Sequence, residues 1–289
     1  MVRSSSTPTT VGSQSPGLWK YINPLHLARN LWRHRELIRQ FTRREIEGRY
    51  RGSFLGLFWS FVNPLVLLLI YTFVFGVVFK SRWPAARTDS LGEFAVIIFC
   101  GFTAFNVFGE SMARAATLIV GVPNYVKKVV FPLEILPVSA LGAALFHSAI
   151  NLGILLVANL LLNRSFSWTL VLLPLVALPL IFLCLGLTWF LSSLGVFVRD
   201  INHVITLIVQ VLFFTSAIFY SIDKIPEPYR TLIHLNPLTP IVENYRRVIL
   251  WSMAPSWPGL ALWLSSTAAL MMLGYAWFMK TKKAFADVL

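Results

Sequence analysis

In a chain of 289 residues, 56% hydrophobic and 13% charged, the charge content is about half that of a soluble domain, roughly 25%. That balance leaves no room for a sizeable soluble domain and points to one membrane domain of several apolar helices. The net charge of +13 is read as basic loops facing anionic lipid, not as a nucleic-acid surface. Cys100 and Cys184 fall inside apolar runs, where a thiol packs as a small hydrophobe, and imply no disulfide framework.

Met1–Pro16 is rich in Ser, Thr and Pro and lacks an apolar core, so it reads as a disordered tail and not as a cleaved signal peptide. We set the polar tail at residues 1–29 and a single transmembrane domain at 30–289. Leu31–Glu47 reads as an amphipathic helix, with Leu31, His34, Leu37, Ile38 and Phe41 on one side and Glu36, Arg39, Arg43 and Glu47 opposite. Such a helix lies in the membrane interface. The apolar run Phe54–Phe79 follows, about 39 Å long at 1.5 Å per residue. Asn63–Pro64 interrupts it, and a residue before proline is biased out of helical geometry, which predicts a kink or break.

Five more apolar runs follow. They are Phe94–Val107, continuing through Met112–Val120 past Glu110 and Arg114, then Ile135–Leu162, Leu170–Val198, Val204–Tyr220 and Leu260–Met279. About 18 apolar residues cross a core of about 30 Å, so six spans are expected in an all-α polytopic fold. Between the fifth and sixth, Ser221–Pro258 holds Pro226, Pro228, Pro237, Pro240, Pro255 and Pro258. Tyr229–Leu235 and Ile241–Trp251 still look helical there, too short to cross, and read as short helices dipping in from outside.

The basic residues sort by side. Seventeen of the 25 Lys and Arg fall before Ser53, in Ser111–Val130, at Arg199 or after Met279, and eight fall in the alternate loops. That asymmetry selects six spans with both termini cytoplasmic.

Chemistry is scarce. His147 lies in the third span with no carboxylate near it in sequence and reads as a packing residue. Glu110, Glu134 and Asp200 fall near span ends, and His203 follows Asp200 by one helical turn. No zinc-protease motif, paired-cysteine site or nucleophile elbow occurs, so no catalytic residue and no metal site is assigned. No phosphate-binding loop occurs either, so energy for uphill transport must come from a partner. The abundant aromatics, among them Phe102, Phe105 and Phe108, are read as lipid-facing or as a stacking surface for sugar rings.

Four stretches together carry a resemblance. Arg43-Arg44-Glu45-Ile46-Glu47-Gly48-Arg49-Tyr50-Arg51-Gly52-Ser53-Phe54-Leu55-Gly56, running on through Trp59 to Asn63-Pro64, is the first. Asn124-Tyr125-Val126-Lys127-Lys128 with Phe131-Pro132 and Glu134-Ile135-Leu136-Pro137 is the second. Phe197-Val198-Arg199-Asp200-Ile201, with Tyr220 and Ile225-Pro226, is the third, and Leu235-Asn236-Pro237-Leu238 with Tyr245-Arg246 is the fourth. From about residue 30 onward the chain resembles the permeases of type-2 ABC polysaccharide exporters, more the O-antigen and teichoic-acid branch than the capsule branch.

The resemblance implies a homodimer paired with two copies of an ATPase subunit, which holds the ATP and Mg, in the bacterial inner membrane. Lipid-linked glycan would pass between the permeases. Arg39, Arg43, Arg44, Arg49 and Arg51 would meet the lipid phosphate, since guanidinium groups bind phosphate bidentately. Asn124, Tyr125, Lys127 and Lys128 would couple to the ATPase. Asn236, Pro237, Tyr245 and Arg246 belong to the outer gate. Phe58, Trp59, Tyr71, Phe213, Phe214, Phe219 and Tyr220 are candidates for the glycan path. The alternatives are export of capsule, teichoic acid, another lipid or a drug by the same fold, or an intramembrane glycosyl- or acyltransferase.

Overall fold

The computed structural model describes residues 23–84, 86, 90–127, 131–163 and 167–289. Among them there are helices and turns and no strand. Helix α1 (Pro24–Arg33) starts at Asn23, whose side-chain oxygen accepts from the N–H groups of Leu25 and His26, with Pro24 in the first turn. The backbone of His34 leaves helical geometry and its ring bonds the Asn30 carbonyl at 2.9 Å. Helix α2 (Arg35–Tyr50) follows. The single amphipathic helix expected over Leu31–Glu47 is therefore two helices, bent where His34 competes for a backbone partner.

Gly52 and Gly56, with φ of 82° and 49°, turn the chain into α3 (Trp59–Tyr71), which runs through Pro64 without a break. Because α3 begins only at Trp59, Pro64 falls in its second turn, where a missing N–H removes one bond. The irregularity comes later, as a π-helical stretch at Thr72–Val78. Ser90 caps α4 (Leu91–Ala115) by accepting from the Glu93 N–H at 3.2 Å. Short α5 (Pro123–Lys127) and long α6 (Ile135–Asn163) come next. The chain continues through α7 (Leu173–Phe197), α8 (Ile201–Thr215), α9 (Glu227–Leu235), α10 (Leu238–Ile249), α11 (Trp257–Thr281) and α12 (Phe285–Val288).

Five helical segments among the described residues are long and apolar enough to cross a membrane: Gly56–Val78, Leu91–Ala115, Ile135–Leu162, Trp168–Phe197 and Trp257–Val288. Helix α8 is apolar but shorter, about 22 Å at 1.5 Å per residue. It stops at Thr215, five residues before its apolar run ends.

Helix α4 is the buried centre, with α6, α7, α8 and α10 around it. Helices α7 and α11 approach backbone to backbone, since a Cβ on Gly274 would lie 2.1 Å from the Gly186 carbonyl oxygen. In a lipid solvent, such small-residue contacts drive helix association where hydrophobic burial cannot.

Glu134 ties the ends of the chain together. Its carboxylate accepts from Lys282 Nζ at 2.6 Å and Asn30 Nδ2 at 3.1 Å, and its carbonyl accepts from Trp189 Nε1 at 3.0 Å. Both described chain ends therefore lie at one end of the bundle, with α2 and α5, and the α9–α10 pair lies at the other.

Candidate functional site

The five candidate arginines, Arg39, Arg43, Arg44, Arg49 and Arg51, are all exposed, but their surroundings differ. Arg39 and Arg43 flank an apolar groove of about 630 Å³ that includes Ile46, Tyr50, Leu57 and Phe146. Arg43 also makes an exposed pair with Glu47 at 2.6 Å, which is cheap to open. Arg44 lies over the rings of Phe41 and Tyr125 and donates to the Tyr125 hydroxyl at 3.3 Å. Arg51 sits just past the helix on extended backbone. Arg49 alone turns toward the bundle.

There it meets a charge cluster built from three helices. Glu110 Oε1 on α4 accepts from Arg49 at 2.6 Å and lies 2.8 Å from His147 Nδ1 on α6. The His147 ring meets Tyr50 edge-on, at 5.7 Å between centroids. Glu110 Oε2 and His147 Nε2 are buried without a partner among the described residues, and each such group costs about 1–3 kcal/mol. A cavity of about 420 Å³ adjoins the cluster, lined also by Trp59, Asn63, Phe102, Asn106 and Asn151. Across the same ion pair, a second cavity of about 380 Å³ reaches Glu45 and Arg114, which are themselves paired.

The aromatic candidates divide into two groups. Tyr71, Phe213, Phe214 and Phe219 form one ring cluster, with Phe219 at 5.0 Å from Tyr71 and 5.1 Å from Phe213. Phe219 is only 1% exposed, packed inside the protomer against Phe75. The Tyr220 hydroxyl donates to the Phe214 carbonyl at 2.8 Å. Phe58 and Trp59 stand apart at the start of α3, with Trp59 on the wall of the 420 Å³ cavity.

The candidates at and after the α9–α10 junction are anchors. Asn236 donates to Ser216 Oγ at 2.9 Å and accepts from the Leu238 N–H, while Pro237 sits at the N-cap of α10. Tyr245 is buried in the core. Arg246, 1% exposed, donates to the carbonyls of Ala217 and Ile218, both at 2.9 Å, and of Ile97 at 3.4 Å. Its guanidinium lies 4.2 Å from the Trp83 ring centroid. Ala217 has φ 51°, so α8 ends in a strained turn whose carbonyls Arg246 satisfies. Irregular backbone inside a membrane bundle is tolerated where protein groups supply its hydrogen bonds in this way.

At the other end, α5 leaves Asn124 and Lys127 exposed while Tyr125 packs on Phe41 and Phe131, at 5.7 and 4.8 Å. Lys128 lies outside the described residues. Residues 36–250 match the ABC-2 type transporter family. The chain belongs to that family.

Among similar proteins, an O-antigen export system permease protein RfbA from Myxococcus xanthus is 28% identical over 265 residues, covering 91% of this chain and 99% of the relative. Another RfbA, from Klebsiella pneumoniae, is 25% identical over 88% of this chain and 95% of its own length. The polysialic acid transport protein KpsM of Escherichia coli is 24% identical over 72% and 78%. The ABC-2 match takes in α2 through α10, and with them the charge cluster and the Arg246 anchor.

Sequence reading of this ABC-2 membrane protein found Glu110 and His147 singly and missed their pairing, because 37 residues separate them. The available signal was that both are ionisable residues inside apolar runs, which are rare and tend to face one another.

Proposed function

We propose that this chain is the permease subunit of an ATP-driven exporter of a lipid-linked polysaccharide of the O-antigen kind. It works as a homodimer with two copies of a separate ATPase in the bacterial inner membrane, both termini in the cytoplasm. The observation that carries this reading is the match to an O-antigen export permease over 91% of this chain and 99% of that relative's length. The exposed apolar faces of α3, of the π-helical stretch that follows it and of α8, with Leu69, Phe73, Leu207 and Val211 each more than half exposed, supply a surface for the second copy. Phe214, 51% exposed, and the half-buried Tyr71 and Phe213 beside them supply flat faces on which a sugar polymer slides, with the buried Phe219 as their backing.

The orientation rests on the end that carries α1, α2, α5 and the last helix, where most of the basic residues collect. Lipid phosphate is met there by Arg39 and Arg43, whose groove accepts the apolar part of the same molecule. Deleting the gene is expected to abolish surface polysaccharide and leave lipid-linked glycan on the inner leaflet, with plasmid-borne wild type restoring export only when the ATPase is intact. Normal surface polysaccharide in the deletion strain overturns the reading, and loss of capsule in its place reassigns the cargo. The His147–Glu110 pair also has the form of a general base, so glycosyl or acyl transfer by purified permease without ATP would favour the transferase alternative.

A further inference from the structure

We propose that the 420 Å³ cavity between α2, α3, α4 and α6 is a binding site for a neutral sugar ring. The proposal rests on the export reading, since the ring would be the sugar next to the lipid phosphate. Four properties of the cavity point to that ligand. Its volume falls within the range of small-molecule sites, about 300–1,000 Å³. Its polar equipment includes three carboxamides from three helices, Asn63 on α3, Asn106 on α4 and Asn151 on α6. A carboxamide offers both donors and acceptors, as a sugar hydroxyl does, whereas a phosphate only accepts. Trp59 and Phe102 add apolar ring faces for the C–H side of a pyranose. The charges on the wall largely cancel, because Arg49 is held at 2.6 Å from Glu110, which weakens the pull on an anion.

His147, its side chain 7% exposed, and Glu110 also line the cavity, and their Nε2 and Oε2 atoms are sealed off from it, with no partner among the described residues. Arg49, Asn106 and Glu110 line both this cavity and its neighbour beside Glu45 and Arg114, so a bound ring would sit close to the basic end where the phosphate is met.

The test uses the intact permease–ATPase complex in lipid nanodiscs and two probes with the same tail, n-octyl β-D-glucopyranoside and n-octyl phosphate. Saturation-transfer NMR reports the ring and the alkyl protons separately, so the tail is an internal control. Ring transfer is expected in the wild type and is expected to fall about fivefold or more in Asn106→Leu and Asn151→Leu, the loss of roughly one hydrogen bond, with tail transfer unchanged. Asn106→Ala, which only shortens a side chain, is the variant to use if a leucine variant fails to assemble by size exclusion. Ring transfer that is equal in wild type and variants, or displacement of the glucoside by octyl phosphate, overturns the site. Absence of ATP-dependent glycan export by the wild type in cells overturns the export reading alone, and is read independently of the NMR.

Discussion

At the scale of single residues, two buried charges hold the fold. Arg246 is an electrostatic plug for backbone that no helix satisfies, bonded to the carbonyls of Ala217 and Ile218. Arg246→Met leaves both acceptors buried, at about 1–3 kcal/mol for each orphaned group, and should lower the thermal midpoint measured in detergent by several degrees. Gly101 makes room for that guanidinium, since a Cβ there would lie 2.8 Å from Arg246 Nη2. Gly101→Ala should destabilise by a similar route, and the double variant should cost clearly less than the two single changes summed, because contacting residues are not additive. Additive losses would separate the two residues.

Glu134 gives a pH prediction. Burial pushes its carboxyl up, but Lys282 and Asn30 outweigh burial and hold it below its ordinary value of 4.5. A depressed folded-state carboxyl stabilises the fold above that ordinary value, and the contribution is lost as pH falls through the lower folded value. Unfolding midpoints should therefore drop below about pH 4.5, and Glu134→Gln should flatten that drop. In Lys282→Met the Asn30 hydrogen bond is left to oppose burial without the lysine, so the depression should shrink, the acid-side drop should flatten and stability at neutral pH should fall.

At the scale of elements, α5 is a short helix braced by aromatic contacts. Tyr125 packs on Phe41 and Phe131, and Arg44 sits over the same ring, so a push on α5 reaches α2 without crossing a flexible loop. Rigid-body transfer through packed helices is a common way to carry a partner's motion. Lys127→Glu, a reversal at an exposed position, should weaken the ATPase complex or abolish export while the permease still reaches the membrane and dimerises. ATP-driven export at the wild-type rate would remove α5 from the coupling role. Helix α3 and the end of α8 show where element-level reading fell short. Proline in α3 pointed to a kink or break, yet α3 runs on through Pro64 at the loss of one backbone hydrogen bond. The fifth apolar run looked continuous, yet α8 stops at Thr215, because hydrophobicity does not reveal a turn sustained by a distant arginine.

At the scale of the whole molecule, orientation is the property to test. Met253, 51% exposed beyond α10, and Lys283, exposed after α11, lie toward opposite ends of the bundle. In a background lacking Cys100 and Cys184, Met253→Cys should react with an impermeant maleimide added to spheroplasts. Lys283→Cys should react only after lysis. The reverse pattern would invert the molecule in the membrane and place α5 where no cytoplasmic ATPase could reach it.

The sequence by itself determined the helical membrane class, the short amphipathic start, the pair of short proline-bounded helices and the segments in which basic residues gather. Those features are set by local composition and by the cost of burying charge in hydrocarbon, which each segment carries alone. Only the tertiary structure decided that Arg49, Glu110 and His147 meet, that Phe219 is buried in a ring cluster, and that Arg246 closes the strained turn at Ala217. Each of those depends on residues far apart in the chain being brought within a few ångströms by helix packing. In lipid that packing is set by small-residue contacts such as Gly186 with Gly274 and by polar pairs across helices, and neither leaves a periodic trace in the sequence.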